Sequence, residues 1–339
     1  MNAQRCLVAA EIGINHNGDP ALARRMIDAA AETGADAVKF QSYRTHEFLA
    51  DRALTYTYTS QGRAVTESQW DLFSRCELGP AALAELCAHA RARGVLFFAT
   101  PTSPRGVDEL AALGCELVKN GSDCLGNLPL VRAMAHSGMR TVLSTGMATL
   151  AEIDEAVRAY RGAGGTQLLL LHCTSSYPTP DAEVNLRRIP ALAAAFGAPC
   201  GLSDHSAGIS AALGAVALGA CMIEKHFTLD RALPGPDQHF SSDPREFAEL
   251  VRGVRALERQ LGDSAVGPTA SELVARDAFR LSCVAAGELR AGARLAARDL
   301  LLRRPGNGLP PSALDFLIGK RLSRDVRAGE PLSLEHLAA

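Results

Sequence analysis

Lysine is the residue whose placement in this sequence points most directly to chemistry. The chain has only four lysines, at positions 39, 119, 225 and 320, against 31 arginines, and the first three stand in apolar, strand-like runs. Lysine is almost never fully buried unless it is paired. Because an ammonium and a guanidinium are not interchangeable, lysines retained at these places predict a site that needs compact positive charges.

Further polar side chains stand near the ends of the same apolar runs. A phosphate or a carboxylate needs several donors at short range, and charge-assisted hydrogen bonds are the strong ones. Two lysines with nearby hydroxyl groups therefore predict an anion-binding pocket. The candidate side chains are Glu11, Lys39, Gln41, Thr100, Lys119, Ser122, Ser144, Ser175, Ser203, His205, Glu224 and His226.

Two histidines in this set predict a metal site. His205 and His226 end adjacent runs and could share one divalent cation, to which Glu11 could add a carboxylate or a metal-bound water. Such donors suit Mn²⁺, Fe²⁺, Zn²⁺ or Mg²⁺, and the ion would act as a Lewis acid on a carbonyl oxygen. The alternative is that a lone histidine is structural. For Lys225, alternation along the strand leaves open an ion pair outside the ring.

The elements that must position these residues alternate regularly. Eight short, almost continuously apolar runs are typical of parallel strands buried on both faces, and helical patterns separate them. Eight such units in about 260 residues predict an α/β fold, a (β/α)₈ TIM-type barrel, whose chemistry lies at the carboxyl ends of the strands. The runs are 7–14, 37–43, 95–101, 117–122, 141–146, 167–174, 199–205 and 221–229.

The sequence changes character after the eighth unit. We predict a barrel over 1–262, a linker with a short helix over 263–278, and a small β-rich domain over 279–339. The last segment has ten Lys and Arg against six Asp and Glu, so its net charge is +4, whereas the rest of the chain is negative. The polar, irregular segment 44–79 is a candidate lid over the strand ends.

Composition narrows the class of protein. The 339 residues are 47% hydrophobic and 21% charged with a net charge of −2, which favours a globular protein without nucleic-acid or membrane partners. Nine cysteines without a CxxC pair predict reduced thiols and a cytoplasmic location. Neither a signal-peptide pattern nor an apolar run long enough to cross a bilayer is present.

Several short strings, taken together, resemble the sialic acid synthase family, the bacterial nonulosonic acid (N-acetylneuraminate) synthases. The resemblance extends over nearly the whole chain. The strings are 10–18 (AEIGINHNG), 39–41 (KFQ), 143–147 (LSTGM), 177–180 (YPTP), 201–205 (GLSDH), 223–229 (IEKHFTL) and 304–308 (RPGNG).

This resemblance implies a barrel joined to a C-terminal antifreeze-like (SAF) domain, in a domain-swapped homodimer whose SAF domain covers the partner's active site. It also implies an enzyme that condenses phosphoenolpyruvate with an open-chain N-acyl hexosamine, such as N-acetylmannosamine. The product would be a nine-carbon 2-keto acid, and phosphate would leave by C–O cleavage.

The resemblance also implies a role for each matching residue. His205 and His226 would bind Mn²⁺ or Mg²⁺, and Glu11 would orient or activate water and sugar, while Glu224 joins Glu11 and the two lysines among the catalytic candidates. Gln41, Tyr177, Asp237 and the position of Ser175 would face the sugar. Arg304 would reach the sugar's N-acyl group from the partner's SAF domain. The phosphoenolpyruvate cradle would be Lys39, Thr100, Lys119, Ser122, Ser144 and Ser203.

Two departures from the family pattern fall on the sugar side. The family commonly has Gly-Glu where this chain has Asp123-Cys124, and N-acetylneuraminate-making members tend to have Asn where Ser175 stands. The acceptor could therefore be a 2,4-diacetamido-trideoxy-hexose, giving a legionaminic-type acid, or a specialised-metabolite sugar. Two further alternatives are a metal-dependent pyruvate aldolase and a non-enzymatic sugar- or ice-binding protein. The paired lysines argue against the aldolase, because pyruvate has no phosphate.

Overall fold

A closed parallel barrel of eight strands forms the larger part of the molecule. The computed structural model describes residues 5–338, and its contacts divide the chain into two units, 1–262 and 263–339. Around the barrel the strand order is β1-β10-β9-β8-β7-β6-β5-β2, which confirms the predicted (β/α)₈ fold. The strands are β1 (Leu7–Gly13), β2 (Ala37–Ser42), β3 (Thr55–Ser60), β4 (Arg63–Ser68), β5 (Leu96–Pro101), β6 (Leu117–Lys119), β7 (Arg140–Ser144), β8 (Leu168–Cys173), β9 (Cys200–Asp204), β10 (Met222–His226), β11 (Ser282–Ala285) and β12 (Leu300–Arg303).

Helices connect successive barrel strands, and several begin with a capping side chain or a proline. Asp19 and Asp243 cap helices whose first residue is proline, and Thr149 and Glu152 form a capping box. The helices are α1 (Pro20–Glu32), α2 (Thr45–Phe48), α3 (Gln69–Cys76), α4 (Pro80–Ala92), α5 (Pro104–Ala112), α6 (Leu128–His136), α7 (Leu150–Gly162), α8 (Arg188–Phe196), α9 (Ser210–Ala217), α10 (Pro244–Leu261), α11 (Ala270–Phe279) and α12 (Leu314–Leu317).

The strands of the barrel supply a layer of apolar side chains that pack against one another. Successive side chains of a strand point to opposite faces, so each strand that supplies this layer contributes one inward-facing residue to it, and its next inward-facing residue lies two positions further along. At the corresponding position of β9 stands Gly201, where a Cβ would lie 2.3 Å from the carbonyl oxygen of Met222. The layer consists of Ala9, Ala37, Phe98, Leu117, Val142, Leu171 and Met222.

The segment 44–79 is more regular than the sequence suggested. It folds into α2, the antiparallel hairpin β3–β4 and α3, so the expectation of an irregular segment is wrong. The tip of the hairpin is tied to a distant loop of the same unit. Gln61 donates to the carbonyl of Ala232 at 2.9 Å, and the amide of Gly235 donates to Oγ of Ser60 at 3.1 Å.

The second unit begins with α11 and has a small core of its own. Its only regular sheet within the described residues is the antiparallel pair β11–β12, with isolated bridges such as Leu289 to Val326 joining the remaining turns. Its core residues include Cys283, Leu295, Leu317, Leu322 and Leu332. In residues 5–338, no helix combines the length and apolar character that crossing a membrane requires.

Candidate active site

A layer of polar side chains stands two residues further along the strands than the apolar layer. The step of two keeps each side chain on the inward face and moves it towards the carboxyl end of its strand. The site is therefore a consequence of strand alternation across a closed barrel. The polar layer consists of Glu11, Lys39, Thr100, Lys119, Ser144, Cys173, Ser203 and Glu224.

These side chains open into a cavity of about 690 Å³. Every barrel residue predicted to be catalytic, substrate-binding or metal-binding lines it, whereas Lys225 lies outside it in an ion pair with Asp204. Arg304 belongs to the second unit, where its guanidinium lies over the ring of Phe279. The predicted residues that line the cavity are Glu11, Lys39, Gln41, Thr100, Lys119, Ser122, Ser144, Ser175, Tyr177, Ser203, His205, Glu224, His226 and Asp237.

Two lysines and two glutamates form a buried ionic network in this cavity. Nζ of Lys39 lies 2.8 Å from Oε1 of Glu11 and 3.9 Å from Oε1 of Glu224. Nζ of Lys119 lies 3.4 Å from the same oxygen of Glu224. All four side chains are at most 5% exposed, so each charge has lost most of its hydration and depends on its partners.

The surroundings shift the pKa values of the two carboxyl groups in opposite directions. Burial and the neighbouring Glu224 raise the pKa of Glu11 more than Lys39 lowers it. Burial also acts to raise the pKa of Glu224, but the nearby Lys119 and Lys39 outweigh it, and the pKa is lowered. Burial opposes the charged form of Lys39, yet Glu11 and Glu224 prevail and its pKa is raised. The network therefore favours charged Lys39 and Glu224.

Hydroxyl and amide groups complete the anion-binding side of the cavity. Ser122 donates to Oγ of Ser144 at 3.0 Å and accepts from the amide of Gly146 at 3.2 Å. A Cβ on Gly146 would lie 2.5 Å from Oγ of Ser175, so only glycine allows the backbone so close. Within residues 5–338 that buried Ser175 hydroxyl has no hydrogen-bond partner, which leaves it available to a ligand.

The two histidines meet as predicted, with their ring centroids 5.4 Å apart. Nδ1 of His205 lies 2.8 Å from the carbonyl of Thr174, which turns Nε2 towards Ser203 at 3.4 Å. Nδ1 of His226 is buried without a hydrogen-bond partner among residues 5–338, 3.7 Å from Oδ2 of Asp237. An unpartnered buried imidazole nitrogen beside a second imidazole fits a divalent cation.

The donor set for such an ion is incomplete from the protein alone. Across residues 5–338, no group of three or more His, Cys, Asp or Glu side chains is arranged to hold a metal. Water and substrate would therefore have to supply the remaining ligands, as in catalytic sites that keep open positions.

The remaining lining of the cavity comes from segments that connect or follow the barrel strands. The ring of Tyr177 lies 4.2 Å from that of His205, and burial raises the pKa of Asp237 to about 7. Phe48, Tyr56 and Phe73, from the segment 44–79, also line the cavity. These three residues are not evident from the strand pattern, because they lie between barrel strands.

Cys173 is the strand residue that the sequence argument missed. Its Sγ lies 3.8 Å from Nδ1 of His205 and 3.6 Å from Oγ of Ser122. Burial acts to raise its pKa, but His205 outweighs burial and the pKa falls to about 7. The signal was present, because Cys173 stands two residues after the inward-facing Leu171.

Fold and site together define a (β/α)₈-barrel protein with a buried, lysine-rich cavity at the carboxyl ends of its strands. The chain belongs to the NeuB family, which matches residues 26–266, and residues 282–338 match the SAF domain. The sequence prediction of this family and of its C-terminal domain is confirmed.

Named relatives agree over nearly the full length. The chain is 36% identical to N,N'-diacetyllegionaminic acid synthase of Legionella pneumophila, covering 100% of this chain and 96% of the relative. It is 38% identical to the enzyme of that name from Campylobacter jejuni, covering 96% and 98%. The crystal structure of the N-acetylneuraminic acid (sialic acid) synthetase of Leptospira borgpetersenii, in complex with citrate, matches with a TM-score of 0.72 at 37% identity, covering 79% of this chain and 89% of that one.

Proposed function

We propose that this protein is a nonulosonic acid synthase. It condenses phosphoenolpyruvate with an open-chain N-acyl hexosamine and releases phosphate. The observation that carries the proposal is the position of Lys39 and Lys119. Both ammonium groups are buried, lie 3.9 and 3.4 Å from the same oxygen of Glu224 and line a cavity that also contains several hydroxyl groups. Two buried ammonium groups with hydroxyl donors suit a ligand that has both a phosphate and a carboxylate.

Phosphoenolpyruvate would bind at the strand ends. Its carboxylate and phosphate would take donors from the two lysines and from the hydroxyl groups of Thr100, Ser122, Ser144 and Ser203. These donors are in place before the reaction, so they stabilise the charge that builds on the departing phosphate without reorganising.

In the reaction, the C2–C3 double bond of phosphoenolpyruvate supplies the electron pair with which C3 attacks the aldehyde carbon, and the aldehyde oxygen takes up a proton and becomes a hydroxyl group. Water adds to the electron-deficient C2 and gives up a proton. The C2 hydroxyl then loses its own proton to form the ketone as the C2–O bond to phosphate breaks and phosphate leaves. Glu11 is placed to accept the proton of the attacking water, because it lines the cavity and its Oε2 has no hydrogen-bond partner in the described chain, while Oε1 is held by Lys39. A Mn²⁺ or Mg²⁺ ion held by His205 and His226 would polarise the aldehyde oxygen.

The acceptor sugar would lie on the part of the cavity that is lined by residues near and beyond the carboxyl ends of the strands. Gln41, Tyr177 and Asp237 line that part of the cavity, as do Cys124 and Ser175. Where the family commonly has Gly-Glu, this chain has Asp123 and Cys124, and both line the cavity, so the carboxylate is displaced by one residue and a thiol takes its place. The changed wall favours an acceptor other than N-acetylmannosamine, such as a 2,4-diacetamido-trideoxy-hexose. The relatives named for legionaminic acid support the same choice.

We further propose a cytoplasmic, domain-swapped homodimer in which Arg304 contacts the N-acyl group of the sugar in the partner's site. In the second unit, Arg304 is exposed and follows β12, and its guanidinium lies over the ring of Phe279.

The test is an assay with the Mn²⁺-loaded protein, phosphoenolpyruvate and separate acceptors, following phosphate release and product mass. Chelator-sensitive phosphate release with a 2,4-diacetamido-trideoxy-hexose, and a product larger by one three-carbon unit, is expected. Condensation that uses pyruvate without phosphate release would instead identify an aldolase. Failure of phosphoenolpyruvate to bind at all would overturn the assignment.

A further inference from the structure

A buried ion pair between Lys225 and Asp204 lies next to the two histidines but outside the cavity. Lys225 and Asp204 are the last opposed residues of strands β10 and β9, and Nζ of Lys225 lies 2.8 Å from Oδ2 of Asp204. Both residues are 2% exposed. Alternation along the strands turns them away from Glu224 and His226, which line the cavity.

The pair holds His205 from both sides. The same ammonium donates to the carbonyl of Ser206 at 2.7 Å, while Asp204 accepts from the amide and hydroxyl of Ser206 at 2.9 and 2.6 Å. The two residues that flank His205 are therefore bound to Lys225, and Lys225 immediately precedes His226 in the chain.

This connection lies where the sheet itself stops holding the two strands together. The ladder between β9 and β10 ends at Asp204 and Lys225, so His205 lies beyond its last rung. On the cavity side, the corresponding link is Ser203 donating to Glu224 at 3.0 Å. The two links, on opposite faces of the strands, restrict how far one histidine can move relative to the other.

We infer that the Asp204–Lys225 ion pair positions His205 and His226 and so sets the spacing of the two imidazoles for a divalent cation. The inference rests on the metal site of the proposed function. Neither residue lines the cavity, so both act through the histidines. A buried ion pair is weak evidence for stability, because desolvation offsets its attraction, and a role in geometry accounts for its retention.

The experiment distinguishes an effect on the positions of the two histidines from an effect on the stability of the folded protein. The variants are Asp204→Asn, Lys225→Met and the double variant, each titrated with Mn²⁺ alone while the signal of free aqueous Mn²⁺ is followed by electron paramagnetic resonance. Urea unfolding of each variant is measured in parallel. Arg255→Met is the matched control, because Arg255 bridges Asp36 and Cys6 at the opposite end of the barrel.

Each single variant leaves one buried charge unpaired and lowers the urea midpoint, whereas the double variant removes both charges and regains it. Mn²⁺ affinity follows a different course. We expect it to fall by roughly tenfold or more in both single variants and to stay low in the double variant. The Arg255→Met control loses stability and keeps wild-type affinity.

Wild-type Mn²⁺ affinity in the double variant would overturn the inference and leave the proposed function intact. If instead the wild-type protein binds Mn²⁺ no better than His205→Ala does, the metal site of the proposed function fails, and the inference fails with it. Both results are read from metal binding, without the catalysed reaction.

Discussion

Oε1 of Glu224 lies 3.4 Å from Nζ of Lys119, in the interior of the barrel where each side chain is at most 5% exposed. The same oxygen accepts from Ser203 and lies 3.9 Å from Lys39. One carboxylate therefore spaces both ammonium groups of the anion-binding side, and each lysine is held at a set distance from the other before a ligand arrives.

This spacing predicts that Lys119→Arg is not a conservative change. A planar guanidinium is larger than an ammonium and cannot occupy the same packed position. We expect kcat/KM for phosphoenolpyruvate to fall by about 10²-fold or more, the cost of removing one preorganised donor. Arg158→Lys is the control, because Arg158 pairs with Asp154 on the surface at 72% side-chain exposure. Equal rates of phosphate release in the two variants would contradict the prediction.

The proposed sharing of active sites between subunits predicts complementation. Arg304→Ala and Glu11→Ala homodimers should each be nearly inactive on N-acylated acceptors. In a mixed dimer, the barrel with an intact Glu11 receives Arg304 from its partner, so one of the two sites works. Phosphate release after mixing and refolding the two variants measures this recovery. If purified mixed dimers stay inactive, Arg304 does not act across subunits.

The position of Cys124 predicts that its replacement changes the KM for one substrate and not for the other. Cys124 lines the cavity, and its replacement by glutamate adds a charge and lengthens the side chain there. We expect Cys124→Glu to change KM for the acceptor sugar by about tenfold, as expected for a change of 1–3 kcal/mol in one pocket contact. The KM for phosphoenolpyruvate should stay the same. Cys124→Ser is the control of similar size, and parallel changes in both KM values would exclude a role confined to the sugar.

His16 predicts a loss of stability in mild acid. Its ring is 1% exposed, and Nδ1 accepts from the amide of Gly18 at 3.0 Å. Burial lowers the pKa of His16 to about 4. Its folded-state pKa lies below the unfolded value of about 6.5, so the stabilisation is present above pH 6.5 and is lost as the pH falls towards 4.

We expect His16→Asn to remove that pH dependence, because asparagine accepts a hydrogen bond and does not titrate. The difference in unfolding free energy between the wild type and the variant should change by up to about 3 kcal/mol between pH 7 and pH 4. Urea unfolding at several pH values measures it. A constant difference across this range would show that His16 is not the titrating group.

The barrel and its inward residues were predictable because burial leaves a local pattern. A strand covered on both faces is apolar throughout, so a lysine such as Lys39 stands out, and alternation then gives the direction of its neighbours. Cys173 obeys the same alternation and could have been found. Its apolar character hid it, because a thiol in an apolar run does not look polar.

The residues on the loops were not predictable in this way. Tyr177 and Asp237 follow no period, and only the resemblance to a family pointed to them. The hairpin β3–β4 had a usable signal in its alternating threonine and tyrosine, as at Tyr56 and Tyr58. Its side chains are polar or exposed and bury little apolar surface, so the hydrophobic pattern alone favours an irregular segment.

The step of two residues between the apolar and polar layers bears on how such a synthase can diverge. Within a barrel strand, inserting or deleting one residue would exchange inside for outside and turn Lys39 or Lys119 away from its ligand. Asp123, Cys124 and Ser175 follow their strands and are free of this restriction. Point substitutions at these positions can therefore change the acceptor sugar during evolution, while the strand residues that act on phosphoenolpyruvate keep their positions.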